Sequence, residues 1–310
     1  MSDPIPASTL QIVDRWAGIP ACWFFTVVRK LLPQAGIDTP RRILFVKFAE
    51  QGSTVLAQGA IRAACDRVGR ENVFFVVFRE NRFILDVLNL IPEENVVTIR
   101  RDTPLLLIRD SLAALAQIRE LGIDTAIDME FFSRASAVLT WLTGAKRRVG
   151  FHTFFGDGPY RGDLMTHRLL YNPYFHTSQI FKSLVLGAFR DARELPSYPI
   201  IPDPIDREPV AFHAKPGEEE EVRRLVREAA GGVEPGPLIL LNPNASDLLP
   251  LRKWETCRYI ELARRLLDHY PTASVALTGA PGEADPIGAA AREVGRPGVS
   301  PSPEKRRCAS

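Results

Sequence analysis

The sequence is poor in the residues that build metal sites and disulfide frameworks. Its 310 residues include only four scattered cysteines (Cys22, Cys65, Cys257 and Cys308) and no CxxC pair, which argues against a zinc site and against a disulfide scaffold. The five histidines show no metal-ligand spacing, and there is no D-x-D motif. We therefore expect no bound metal, and a reducing, cytoplasmic compartment.

An excess of charge and long apolar runs are also missing. The net charge of +2 does not indicate a nucleic-acid-binding protein, because basic and acidic residues nearly cancel. The most apolar stretch, Ala17–Leu32, is too short to cross a membrane and is interrupted by Arg29 and Lys30. Acids and prolines precede any apolar run at the start of the chain, so no secretory signal is expected. At 45% hydrophobic and 25% charged residues, the composition predicts a globular protein with room for two domains.

Residues 1–40 predict an amphipathic helical segment with two alternative roles. Trp16, Trp23, Phe24 and Phe25 stand close to Arg29 and Lys30, a combination that suits a membrane interface. In that case residues 10–33 contact the inner face of the cytoplasmic membrane peripherally. Alternatively, the segment is a helix packed on its own domain.

Residues 41–194 alternate apolar strands with helical stretches, which predicts a parallel sheet with right-handed crossovers. The usual strand order for such a domain is 3-2-1-4-5, with ligands bound beyond the carboxyl ends of the strands. The five predicted strands are Ile43–Phe48, Asn72–Phe78, Val96–Ile99, Thr125–Glu130 and Arg147–Phe151.

Residues 195–210 predict an interdomain linker, because five prolines lie within Leu195–Pro209. Residues 211–310 begin a second α/β unit, with strands at Pro237–Pro243 and Ser274–Gly279. No strand is expected after Gly279, so this second domain is predicted to be incomplete.

Four stretches resemble glycosyltransferase family 9, the ADP-heptose:lipopolysaccharide heptosyltransferases and their relatives. They are RILFVKFAEQGSTVLAQGAIRAA, DTAIDMEFFSRASAVLTWLTGAKRRVGF, PLILLNPNAS followed by LRKW, and VALTGAPGEAD, which together run from about Arg42 to Asp285. The resemblance implies a GT-B fold of two Rossmann-like domains, with the acceptor mainly on the first and the nucleotide-sugar mainly on the second. It implies sugar transfer with inversion, without an essential metal or a cofactor. The co-substrate is then an ADP-linked, heptose-like nucleotide-sugar, and the acceptor a lipid-linked or envelope glycan such as lipopolysaccharide.

The chain departs from the family pattern at two places. The family's Asp-Thr/Ser-Gly-x-x-His element has no counterpart after Asp285, which suggests a C-terminally truncated donor domain. The general base in the family is usually an Asp directly after the glycine of the first loop, and that position is Ser53 here. Ser53 cannot act as a base unaided.

Glu50 and Glu130 are the two candidates to replace the missing base. Glu50 lies in the same loop as Ser53, and Glu130 ends the fourth strand. The first and fourth strands are neighbours in the expected order, so both carboxylates come to one edge of the sheet. In the alternative, structural interpretation, Glu50 caps the following helix and Glu130 pairs with Arg134 or Arg148.

The resemblance also assigns a donor site. Lys253 matches the family's diphosphate-binding lysine and Glu283 a ribose-binding residue, while Arg252 assists. A cation at the start of a helix is unfavourable unless an anion is near, which supports the assignment of Lys253. The turn after the strand Pro237–Pro243 is expected to face phosphate with its backbone. Its candidate residues are Asn242, Asn244 and Ser246.

The polar and aromatic stretch 151–179 is a candidate acceptor surface, since aromatics stack on sugars and arginines hold phosphate. An alternative is a loop packed on its own domain. The acceptor-binding candidates are Arg134, Tyr160, Arg161 and His167.

Two classes of function remain open at this point. The first is a family 9-like glycosyltransferase. The second is a non-catalytic homologue that binds a glycan or a partner, which the serine at position 53 favours. A sugar-nucleotide epimerase of GT-B fold is a weaker third reading, because GAKRRVGF points to family 9.

Overall fold

The structure is a computed structural model that describes residues 5–32, 39–152, 160–195, 214–229, 236–244, 253–279, 281–295 and 299–301. The chain divides into two compact units, Met1–Phe212 and His213–Ser310, and each is described by itself. The predicted linker, residues 195–210, lies outside the described residues except for Leu195.

The first unit is a parallel sheet with helices on both faces. Its strands are β1 (Ile43–Val46), β2 (Val73–Phe78), β3 (Val96–Ile99), β4 (Thr125–Asp128), β5 (Arg147–Phe151) and β6 (His167–Leu169). Its helices are α1 (Ala7–Trp16), α2 (Gly18–Leu31), α3 (Gln51–Leu56), α4 (Gln58–Val68), α5 (Arg82–Leu88), α6 (Pro104–Glu120), α7 (Arg134–Leu142) and α8 (Thr177–Ala188). Local signals explain several boundaries: Thr103 caps α6 ahead of a proline at its first position, and Ser133 caps α7.

The strand order is β3-β2-β1-β4-β5-β6, which confirms the predicted order of the first five strands. β6 was not expected, because its three residues, HRL, carry no apolar pattern and lie in the predicted loop. It pairs in parallel with β5, with Val149 opposite His167. The stretch between β1 and β2 forms two helices, α3 and α4, with Ala57 between them.

Each face of the sheet buries its own core. Alternate residues of β1 point to opposite faces, so Ile43 and Phe45 pack with α4 and α8. Leu44 and Val46 pack on the other face, beneath α6. Because all four residues are buried, β1 lacks the polar alternation of an exposed strand, as expected for a parallel sheet covered on both sides.

The N-terminal helices α1 and α2 pack on α7. Cys22 and Phe25 of α2 join a small cluster with Ala137, and the Phe25 ring lies 4.7 Å from that of Trp141. A Cβ at Gly162 would stand 2.7 Å from the carbonyl oxygen of Cys22. The absence of a side chain at Gly162, with φ at +67°, is therefore what lets α2 approach so closely.

The second unit contains a smaller parallel sheet of order β7-β8-β9. Its elements are α9 (Glu218–Ala229), β7 (Leu238–Leu241), α10 (Thr256–His269), β8 (Ser274–Leu277), α11 (Ala284–Val294) and β9 (Val299–Pro301). The expectation of no strand after Gly279 was wrong, since β9 pairs with β8, with Val275 opposite Val299. The strand was not predicted because it contains Pro301, and proline is rare within sheets. A proline is nevertheless tolerated at the end of an edge strand, where its N–H is not needed for pairing.

Within the described ranges, none of the helices combines the length and the apolar character needed to cross a membrane.

Candidate functional site

β1 and β4 are hydrogen-bonded neighbours, and their carboxyl ends bring Glu130 to the exit of β1. Val46 is the register partner of Asp128. Beyond them, the Oε1 atom of Glu130 accepts hydrogen bonds from the backbone N–H groups of Phe48, at 2.8 Å, and Ala49, at 3.4 Å. Glu130 therefore ties the loop after β1 to the end of β4.

Glu50 occupies the same loop in a different environment. It is exposed, and its backbone is left-handed, with φ at 70°. Such a conformation costs about 1–3 kcal/mol for a residue with a side chain. The hydroxyl of Ser53 donates to the Glu50 carboxylate at 3.1 Å and to the Glu50 carbonyl oxygen at 2.9 Å. A strained, solvent-facing carboxylate oriented by a hydroxyl is suited to accept a proton from a substrate.

The structure does not support the alternative in which the Glu50 side chain caps a helix and Glu130 pairs with Arg134 or Arg148. Glu50 is the N-cap residue of α3, but its side chain makes no capping bond. Arg134 pairs instead with Asp14, and Arg148 donates to the carbonyl oxygens of Leu164 and Ala145. Neither arginine is thus the partner of Glu130.

Lys47 is a buried charged residue near this site that was not predicted from the sequence. It directly follows β1, its side chain is 1% exposed, and its Nζ lies 4.0 Å from Glu130 Oε1. Nζ is also 5.8 Å from the centre of the Phe181 ring and has no hydrogen-bond partner among the described residues. The signal was a lysine in the apolar run ILFVKF, since lysines are almost never fully buried unless paired.

Asp128 anchors the floor of the site. Its Oδ1 accepts from the backbone N–H of Glu130 at 3.0 Å, and its Oδ2 accepts from Ser136 at 2.9 Å and from Arg161. Complete burial raises the pKa of Asp128 to about 6, against the opposing effect of the Arg161 guanidinium. Asp128 therefore fixes the backbone from which the Glu130 side chain projects.

Two of the predicted acceptor residues are committed to contacts inside the first unit. Arg161 is buried and donates to Ser133, Phe151 and Asp128. His167 is 1% exposed, and its Nε2 lies 2.7 Å from a guanidinium nitrogen of Arg147. Desolvation, with the Arg147 charge, lowers the pKa of His167 to about 4. These burials leave neither side chain in a position to contact an acceptor.

The other two acceptor candidates are linked to each other. Arg134 donates to the backbone carbonyl of Tyr160 at 2.9 Å and pairs with Asp14 of α1 at 3.3 Å. The Tyr160 side chain remains 46% exposed. Of the four candidates, Tyr160 is the one that the structure leaves open to solvent.

In the second unit, the side chains of Asn244 and Glu283 lie close to Gly279, beyond the carboxyl ends of β7 and β8. A Cβ on Gly279 would lie 2.6 Å from Nδ2 of Asn244 and 2.8 Å from Oε2 of Glu283. Asn244 follows β7, its N–H donates to the Asn242 side chain at 3.0 Å, and its buried Nδ2 has no hydrogen-bond partner within the described ranges. An amide and a carboxylate thus meet over a glycine at the carboxyl edge of a parallel sheet, where α/β sheets bind ligands.

The remaining donor candidates are placed less closely. Lys253 is exposed on the segment that leads into α10. The neighbouring Trp254 packs edge-on against Tyr259, with ring centres 5.3 Å apart. Ser246 and Arg252 lie outside the described residues. In the described part of the chain, no group of three or more His, Cys, Asp or Glu is arranged to hold a metal ion.

Neither protein-family models nor curated proteins match the chain, but solved structures do. ADP-heptose lipopolysaccharide heptosyltransferase II of E. coli is 19% identical with a TM-score of 0.57, over 82% of this chain and 67% of that one. A family 9 glycosyl transferase of Veillonella parvula is 14% identical with a TM-score of 0.59, over 86% and 70%. E. coli heptosyltransferase WaaC, solved with ADP-2-deoxy-2-fluoro heptose, is 16% identical with a TM-score of 0.54, over 84% and 76%. The chain therefore has the GT-B fold of these transferases, which is the fold that the family resemblance implied.

Proposed function

We propose that this chain is an inverting glycosyltransferase that moves a sugar from a nucleotide-sugar to an acceptor hydroxyl. The observation that carries the proposal is Glu50, a strained and exposed carboxylate at the carboxyl edge of the first sheet, hydrogen-bonded to Ser53. It supplies a base in the loop where the family's usual Asp is missing. The shared fold and the Asn244–Gly279–Glu283 cluster support the same reading.

In this mechanism Glu50 takes the proton of the acceptor hydroxyl as the hydroxyl oxygen attacks the anomeric carbon. The bond from that carbon to the nucleoside diphosphate breaks, and the diphosphate leaves with the bonding pair. Ser53 holds the Glu50 carboxylate in place, and Lys47 with Glu130 positions the loop from which Glu50 projects. A positioned base contributes about 10²–10⁴-fold to such a step.

The donor is held by the second unit. Glu283 accepts hydrogen bonds from ribose hydroxyls, Asn244 offers its unsatisfied amide, and Lys253 neutralises the diphosphate. We propose an ADP-linked, heptose-like sugar as the donor, because matching structures are described as an ADP-heptose transferase and as complexes with ADP. A lipopolysaccharide or other lipid-linked envelope glycan at the cytoplasmic face of the membrane is the matching acceptor.

Comparison of Glu50→Gln with Glu130→Gln tests the assignment of the base. Glu50→Gln should lower kcat about a hundredfold or more and leave the nucleotide-sugar Kd unchanged. Glu130→Gln keeps an acceptor oxygen for the Phe48 and Ala49 N–H groups, so its kcat should fall less. If Glu130→Gln alone abolishes turnover, Glu130 is the base; if neither change matters, the base lies elsewhere.

Lys253→Ala tests the donor site separately. Loss of a charge-assisted contact to a diphosphate should raise the nucleotide-sugar Kd about tenfold or more, measured by calorimetry. Lys215→Ala, at another exposed lysine of the second unit, is the matched control. Equal affinity of the Lys253→Ala variant and the control would remove Lys253 from the donor site.

The second candidate function is that of a non-catalytic glycan- or partner-binding homologue, which Ser53 favours because the family's usual base is absent there. A turnover assay with a panel of nucleotide-sugars separates the two functions. Transfer or hydrolysis of any nucleotide-sugar excludes the non-catalytic alternative.

A further inference from the structure

The N-terminal helices α1 and α2 carry an apolar surface that the protein leaves exposed. Nine large apolar side chains between residues 12 and 32 lie in solvent, among them Trp23, which is 64% exposed, and Leu31, which is 79% exposed. We call this set the N-terminal apolar face. Its members are Ile12, Val13, Trp16, Ile19, Trp23, Phe24, Val27, Leu31 and Leu32.

The position of this face on α2 follows from the helical repeat. Ile19, Trp23, Val27 and Leu31 recur every four residues, so they line one side of the helix. The opposite side carries Gly18, Cys22, Thr26 and Arg29, which pack on the rest of the unit. α2 therefore packs one side on the first unit and leaves its more apolar side exposed.

Polar contacts attach α1 and α2 to the rest of the first unit, unlike a frayed chain terminus. Asp14 of α1 pairs with Arg134 and accepts from the N–H of Ala135 at 2.7 Å. Arg29 of α2 pairs with Asp163 at 2.5 Å, and Thr26 accepts from the N–H of Asp163 at 2.9 Å. The N-terminal apolar face is therefore held outward by polar contacts on its inner side.

The two charged residues of α1 and α2 that are not in ion pairs with described residues are both cations. Asp14 is the single acid between Ala7 and Leu31, and it is neutralised by Arg134. Arg29 is neutralised by Asp163, which leaves Arg15 and Lys30 as exposed cations. By the helical repeat, Lys30 lies within the stripe that Ile19, Trp23 and Val27 form.

We propose that the N-terminal apolar face docks onto a lipid bilayer with anionic headgroups, and that α1 and α2 lie in the plane of its interface. Tryptophans, phenylalanine and aliphatic side chains beside cations are the composition of interfacial helices. Lys30 favours a bilayer over a second copy of this chain. Lysine is depleted in the cores of protein interfaces, whereas at a membrane its stem lies along the apolar surface and its ammonium reaches the headgroups.

Co-sedimentation of the full chain with lipid vesicles tests the proposal. The wild type should bind phosphatidylglycerol-containing vesicles more tightly than phosphatidylcholine vesicles. Removal of two half-exposed aromatics in Trp23→Ser/Phe24→Ser should weaken binding to both vesicle types by about a hundredfold. Lys30→Glu should weaken binding to anionic vesicles alone, by about thirtyfold.

Matched controls come from the second unit. Tyr270 is 51% exposed and outside the proposed face, so Tyr270→Ser should bind vesicles like the wild type. Lys215→Glu is the corresponding control for charge reversal. Thermal unfolding of every variant checks that the first unit remains folded, which is expected because the substituted side chains are exposed.

Three outcomes would overturn the proposal. In the first, the wild type remains in the supernatant with anionic vesicles. In the second, the double variant sediments with the vesicles as the wild type does. In the third, the wild type is a dimer by light scattering, the double variant is a monomer, and neither binds vesicles, so that the face is an interface between copies. The proposal depends on the N-terminal apolar face alone. Its failure would therefore not contradict sugar transfer to a water-soluble acceptor.

Discussion

Replacing Glu50 by glycine and by alanine separates the strain of its backbone from the loss of its carboxylate. Both variants lack the carboxylate and the hydrogen bond that Ser53 donates to it, so they differ only in the side-chain carbon. A left-handed backbone costs a residue with a Cβ about 1–2 kcal/mol, and glycine gives back about 0.5–1 kcal/mol through its freedom in the unfolded chain. Glu50→Gly should therefore be about 0.5–1 kcal/mol more stable than Glu50→Ala.

Gly52 provides the matched control, two residues further on in α3. Its backbone lacks positive φ, and a Cβ there would meet nothing within 4 Å. Gly52→Ala should therefore stabilise the first unit by about 1 kcal/mol, the opposite preference to that at Glu50.

Urea unfolding followed by tryptophan fluorescence measures both pairs, since Trp16, Trp23 and Trp141 report on the first unit. Neither Glu50 variant should transfer sugar. If Glu50→Ala proves more stable than Glu50→Gly by about 0.5–1 kcal/mol, as at an unstrained position, the backbone at Glu50 is not strained and no longer marks this carboxylate as functional.

Three further predictions test the surroundings of the two sites. The pKa of His167 is lowered from 6.5 to about 4, so the unfolded chain binds the proton before the folded chain does. The free energy of unfolding should therefore decrease by about 3 kcal/mol as the pH falls from above 6.5 to below 4. His167→Gln should remove that loss in urea unfolding at several pH values, while the opposite contribution of Asp128, whose pKa is raised, persists in both proteins. Asp128→Ala leaves Arg161 charged and buried and should cost about 3–5 kcal/mol of unfolding free energy; a cost below about 1 kcal/mol would refute the anchoring role. Gly279→Ala places a carbon within 3 Å of Ile287, Asn244 and Glu283 and should raise the nucleotide Kd about tenfold in calorimetry, whereas Gly282→Ala, with open space around it, should not.

Hydrophobic patterning was sufficient to predict most of the first sheet. Runs such as ILFV and VFFVVF are buried on both sides, which only a covered parallel sheet allows, and the strand order followed from that class of fold. β6 and β9 escaped prediction because each has three residues. Their pairing depends on the neighbouring strand and not on any pattern of their own.

The sequence predicted which residues lie near the first site, but not the role of each residue. Strand order predicted that Glu50 and Glu130 belong to one sheet edge, but not which of them is bound by backbone N–H groups and which is strained and exposed. Arg161 and His167 were chosen for their residue types in an aromatic stretch. Their burial is set by Asp128 and Arg147, which lie far away in the sequence.

The mass of the acceptor after incubation with a nucleotide-sugar tests the central claim most directly. With the wild-type chain, an ADP-linked sugar and a lipid-linked envelope glycan, mass spectrometry should show an acceptor heavier by one sugar residue, together with released ADP. The Glu50→Gln chain should bind the nucleotide-sugar equally well and leave the acceptor mass unchanged. An unmodified acceptor with the wild type across a panel of nucleotide-sugars, or full transfer by Glu50→Gln, would contradict the account.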